Sequence, residues 1–140
     1  MCTIIDWIIL FVLGCCSVTD LRRKTIPIYL LVIMSMIVVL SFFCCDMENL
    51  WMHIGGAGLG ILFFIVSRLT KEAVGYGDSW LILLLGARLG IEKVLWLLFV
   101  ASLGGAFVSL LYLWMHRWNR NATLPFVPFL TLAYLGVMFL

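Results

Sequence analysis

The chain has 140 residues, of which 65% are hydrophobic and 11% charged, against roughly half apolar and a quarter charged in soluble domains. Its mean hydropathy is +1.20, and its net charge is only +2. These values leave no room for a separate soluble domain, a nucleic-acid platform or a secreted disulfide scaffold, and they mark an all-α, polytopic membrane protein. A wholly helical chain of this length would stretch roughly 210 Å, enough for at most about seven crossings of a hydrocarbon core of about 30 Å.

Apolar runs predict six crossings, over residues 3 to 19, 27 to 45, 52 to 67, 79 to 91, 94 to 115 and 125 to 140. No linker or internal repeat divides them, so residues 1–140 read as one membrane-embedded helical bundle. The first span carries Asp6 and the adjacent Cys15 and Cys16, and the second ends at Cys44 and Cys45. None of the cysteines has the two-residue gap of a zinc knuckle, which leaves them as small apolar side chains. In the third span Gly56 and Gly60 make a GxxxG step, and in the fourth, the shortest, Gly86 and Gly90 make another. Small residues at that spacing let helix backbones approach closely in lipid.

Charge fixes an expected orientation. The first, third and fifth loops hold Arg22, Arg23, Lys24, Arg68, Lys71, Arg117 and Arg120, against Arg88 and Lys93 on the other side. By the positive-inside rule those three loops face the cytoplasm and both termini lie outside it. Trp7, Trp51 and Trp96 then fall at the outer interface, and Trp80, Trp114 and Trp118 at the inner one.

Acidic residues near a bilayer need a reason. Asp6, Asp46, Glu48 and Glu92 map to the outer face, where solvated or interfacial roles suffice. Asp20, Glu72 and Asp78 map to the inner face. Asp6 lies about 21 Å along the same helix from Asp20, so those two cannot share a site. Asp20 closes the first span and Asp78 opens the fourth, at matching depth. Two such carboxylates can share a proton and activate a water, although Asp78 could instead cap its helix. Their expected places at opposite helix ends put the shared proton on Asp20 and leave Asp78 as the base. There is no HExxH, and His53 and His116 belong to opposite faces, so neither a metal centre nor any other cofactor is expected.

The residues around the aspartates form patterns. Asp20, Leu21, Arg22, Ile26 and Pro27 fit D-L-R-x-x-x-I-P, and Gly75, Tyr76, Gly77 and Asp78 fit GxGD, followed by Leu85-Gly86 and Leu89-Gly90. Pro125-Phe126-Val127-Pro128-Phe129-Leu130 is a variant of P-F-G-P-F-L. In these three elements the chain resembles the type IV prepilin peptidase family of GxGD intramembrane aspartic proteases, in a short form. It departs from that pattern at Ile28, Trp80 and Val127, where members carry Asn, Lys and Gly. The resemblance implies catalytic Asp20 and Asp78, with Gly75, Tyr76, Gly77, Ile26, Pro27, Pro125 and Pro128 supporting them. It implies an endopeptidase of a bacterial cytoplasmic (inner) membrane that cuts short basic leaders from prepilin-like proteins at the cytoplasmic face, and no nucleic-acid partner. Glu72 is the acidic candidate to meet a basic leader, beside a plain loop role. The paired CxxC motifs of longer members are missing, so N-methylation is not expected. The competing reading is a non-catalytic membrane assembly factor, or an inactive relative with the same fold.

Overall fold

The computed structural model describes residues 2–23, 25–44, 49–70, 76–115 and 125–139. Among the described residues six helices follow one another: α1 (Cys2–Arg23), α2 (Ile28–Cys44), α3 (Leu50–Leu69), α4 (Tyr76–Leu89), α5 (Ile91–Met115) and α6 (Val127–Phe139). No strand occurs among the described residues. The all-α bundle and its six elements are those expected from the apolar runs. Lys24, Asp46, Glu48, Lys71, Glu72, Gly75, His116, Arg117, Trp118 and Arg120 lie outside the described residues.

Three helices, α1, α3 and α5, are long and apolar enough to cross a bilayer. Their surfaces are covered with large apolar side chains such as Phe11, Trp51, Phe107 and Trp114, all exposed. On a soluble protein so much contiguous apolar surface would drive association; in hydrocarbon it is the face that meets lipid. The interior is built from Ile9, Leu13 and Cys16 of α1, Met34 and Val38 of α2, Leu81 and Leu85 of α4, Leu97 of α5, and Leu130 and Tyr134 of α6.

The glycine steps pair with one another. Gly56 of α3 lies against the Gly86 backbone of α4, and Gly60 lies against Leu83. A Cβ on Gly56, Gly60 or Gly86 would run into backbone atoms of the facing helix. Each glycine lowers helix propensity by about 1 kcal/mol in water. In lipid the backbone has no other partner for its polar groups, so α3 stays helical despite four glycines within residues 55–60. His53 completes the contact: its Nδ1–H donates to the Ala87 carbonyl at 3.0 Å, in the last turn of α4, where carbonyls lack intrahelical donors.

Helix ends are set by the chain's own punctuation. Gly90, at φ +84°, stops α4 in a conformation that suits glycine, and α5 begins at the next residue. Pro27 precedes α2 and its carbonyl accepts the Leu30 N–H at 3.1 Å. The Phe126 carbonyl accepts the Leu130 N–H at 3.2 Å, which makes Phe126 the N-cap of α6 and places Pro128 in its first turn, where a missing N–H is tolerated. α1 runs on through Asp20 to Arg23, beyond the expected end near residue 19, because Leu21, Arg22 and Arg23 are good helix formers and the cations suit a helix C-terminus.

Candidate active site

Asp20 sits in the last turn of α1 and Asp78 in the first turn of α4. The connection from α1 to α2 and the start of α4 meet at one end of the bundle, because Ile26 packs directly on Gly77. A Cβ on Gly77 would lie 2.8 Å from Ile26 Cδ1. The isoleucine of the first motif therefore fills the space left by the glycine of the second. Pro27, next in the chain, is half-buried and turns the backbone into α2.

The two aspartates come within electrostatic reach of each other, although α1 and α4 are separated in the chain by two helices. Asp20 is buried. Its carboxylate accepts a hydrogen bond from the Val127 backbone N–H, while Oδ2 is buried with no hydrogen-bond partner among the described residues. Val127 is the first residue of α6, so its N–H has no intrahelical acceptor. The Pro125-Phe126-Val127-Pro128 segment thus folds as a helix start aimed at Asp20. The two aspartates do occupy opposite kinds of helix end, as expected from the sequence, but a second helix end also bears on Asp20. Asp20 does close α1, but it also meets the N-terminus of α6, just as Asp78 occupies the N-terminus of α4.

Among the residues that depart from the P-F-G-P, GxGD and I-P patterns, Val127 is fully buried and supplies the donor to Asp20. A backbone donor depends on position and not on side-chain identity, so valine serves where the pattern has glycine. Trp80 stands edge-on to Phe64 of α3, ring centroids 6.2 Å apart, and Tyr76 tilts onto the same ring at 5.8 Å. These rings fasten the GxGD end of α4 to α3. Ile28 is exposed. Arg22 and Arg23, within one turn of Asp20, are exposed. They line a cavity of about 330 Å³ with Thr19, Thr25 and Tyr29. Glu72 and Gly75 lie outside the described residues.

One charged residue sits differently from its expected place. Asp6 is not a solvated interfacial residue: its Oδ1 lies 3.2 Å from Arg88 Nη2, with the two side chains only 25% and 12% exposed. The hydroxyl of fully buried Tyr134 reaches the same oxygen at 3.5 Å. The sequence allots both charges to the outer end but cannot show that they face each other. No group of three or more metal-ligating side chains converges among the described residues.

Comparison with known proteins bears on this geometry. A family model described as the type IV leader peptidase family matches residues 7–110. The prepilin leader peptidase/N-methyltransferase of Xanthomonas campestris pv. campestris is 30% identical over 130 residues, 86% of this chain and 44% of the relative. Proteins of the same name from Legionella pneumophila and Burkholderia pseudomallei are 33% identical over 90 residues and 38% identical over 68 residues. These alignments cover 64% and 49% of this chain and 29% and 22% of the relatives. The chain thus spans less than half the length of these relatives. No solved structure matches it.

Proposed function

The chain belongs to the type IV leader peptidase family, and on that premise we propose that it is an aspartic endopeptidase working through Asp20 and Asp78. The single observation that supports this most is the meeting of the two carboxylates at one end of the bundle, with one oxygen of Asp20 buried and unpartnered among the described residues. One proton serves the pair. The ionised carboxylate takes a proton from water as the water oxygen attacks the scissile carbonyl carbon. The protonated carboxyl meanwhile hydrogen-bonds the carbonyl oxygen as it becomes an oxyanion. Return of a proton to the amide nitrogen releases the amine, and the carbon keeps the water-derived oxygen as a carboxyl group. The Val127 N–H keeps Asp20 in one orientation throughout.

The substrates are prepilin-like proteins: a short basic leader followed by an apolar helix. The helix lies in the bilayer while the leader stays in the cytoplasm, which brings the scissile bond to the inner interface, where the first and third loops place the aspartates. Both termini are extracytoplasmic, and Glu72, on the same side, offers a negative charge to the leader. The test is cleavage of a prepilin-like peptide by the reconstituted chain, beside Asp20→Asn and Asp78→Asn. The reading requires cleavage by the unaltered chain and loss with either substitution. Substantial cleavage by Asp78→Asn would sink it.

A further inference from the structure

Helices α1 and α4 carry the two aspartates, yet they share no extended backbone contact among the described residues. α1 packs on α6 and α2, while α4 packs on α3, α2 and α5. Nothing like the interlocked glycines of α3 and α4 sets the height of one against the other. Near the opposite end of the bundle, however, Asp6 of α1 bonds Arg88 of α4 at 3.2 Å, and Tyr134 of α6 joins the same carboxylate oxygen. Asp6 lies about 21 Å from Asp20 along α1, and Arg88 about 15 Å from Asp78 along α4, a difference of about 6 Å that the long arginine side chain, bonding through its terminal Nη2, can span.

We infer that Asp6, Arg88 and Tyr134 form a polar clamp that sets the axial register of α1 against α4 and so brings Asp20 level with Asp78. These three are positioning residues and touch no reacting atom. The physical reason is the medium. Inside a membrane a charge has no water to fall back on, so it accepts a partner only at its own depth. A slide of α1 by a single residue, about 1.5 Å, would pull the 3.2 Å contact beyond hydrogen-bonding distance. The carboxylate also recruits α6, the helix whose first N–H holds Asp20. The three helices that build the catalytic end are therefore the three tied together at the other end. The catalytic consequence of the clamp rests on the proposed aspartate pair; the register itself does not.

Two measurements on the full chain in lipid vesicles separate these. The first is cleavage of a synthetic peptide with a basic leader and an apolar helix. Asp6→Asn should lower kcat by about tenfold to a hundredfold, the scale expected for a misplacement of about 1 Å, while KM stays within about twofold. Asp6→Glu keeps the charge and moves the carboxylate by one methylene; it should give a smaller fall in kcat. The exchange of Asp6→Arg with Arg88→Asp should recover kcat above either substitution alone. The second is disulfide formation between Asp20→Cys and Asp78→Cys, in a chain whose own cysteines are changed to alanine. Its yield under mild oxidation should fall several-fold when Asp6→Glu or Asp6→Asn is added. Unchanged kcat and unchanged cross-linking in Asp6→Glu, Asp6→Asn and Arg88→Gln would overturn the clamp. If the unaltered chain cleaves nothing, the peptidase reading fails, while the disulfide yield still decides the register.

Discussion

The α3–α4 contact and the α1–α4 contact solve the same problem in different ways. Lipid tails are as apolar as leucine, so burying side chains against a neighbour brings little gain in a bilayer, and helices need another reason to meet. α3 and α4 meet backbone to backbone, with Gly56 on Gly86 and Gly60 on Leu83. α1 and α4 meet through polar side chains, with Asp6 on Arg88 at one end and Asp20 within electrostatic reach of Asp78 at the other. The first contact leaves no space between the helices. The second joins them through side chains, without extended backbone contact among the described residues. A rigid pair on one side and a spaced pair on the other suit the site proposed on α4: its carrier is locked to α3 by backbone contact, while α1 is tied to it through side chains.

The largest effect should come from the spaced pair. Asp20→Asn and Asp78→Asn should each lower cleavage by about a thousandfold or more, and the double variant should be no worse than either, because the two act as one unit. Single-turnover cleavage of a prepilin-like peptide measures this; a double variant much worse than both singles would break the pairing. Next comes the rigid pair. Gly56→Val or Gly86→Val puts atoms where a backbone already sits and should destabilise the bundle by about 3 kcal/mol or more, read as loss of folded protein in a detergent titration. Gly58→Ala is the control, since a Cβ there meets nothing.

A smaller effect is expected where the two contacts join. Gly77→Ala pushes on Ile26, the flexible neighbour 2.8 Å away, and should cost about 1 kcal/mol. Ile26→Ala in the same chain should relieve part of that, so the two substitutions should not add. His53→Ala should cost about 1 kcal/mol through the loss of its bond to Ala87, with KM for the peptide unchanged. The orientation assigned to both contacts is checked by a cysteine label at Asn119, which should react from the cytoplasm alone.

The rigid contact was half legible in the sequence. GxxxG spacing announced that Gly56 and Gly86 would meet some helix, but spacing within one span does not name the partner in another. The spaced contact was legible only at its aspartates, through depth and motif. The Asp6–Arg88 bond was hidden because the helices are apolar nearly all round, so no stripe of polar residues tells which way each is turned. Val127 was hidden for a different reason: its contribution is a backbone N–H, and every residue but proline has one. Helix boundaries followed the punctuation closely at Gly90 and Pro27 and less well at Arg23, where charge was read as loop although three helix formers continue the turn.

The shortness of α4 has a consequence for the surrounding bilayer. Fourteen residues make a rod of about 21 Å, some 9 Å less than a hydrocarbon layer of about 30 Å. α5 leaves the same turn at Gly90 and, with 25 residues, reaches about 37 Å. Rods of such unequal length rising from a common point impose a sloping thickness on the lipid around them: full beside α5, pinched beside α4. The pinch falls at the Tyr76 end, over Asp78. If the two carboxylates act as proposed, a dip of the headgroups at that end gives water a short path to them.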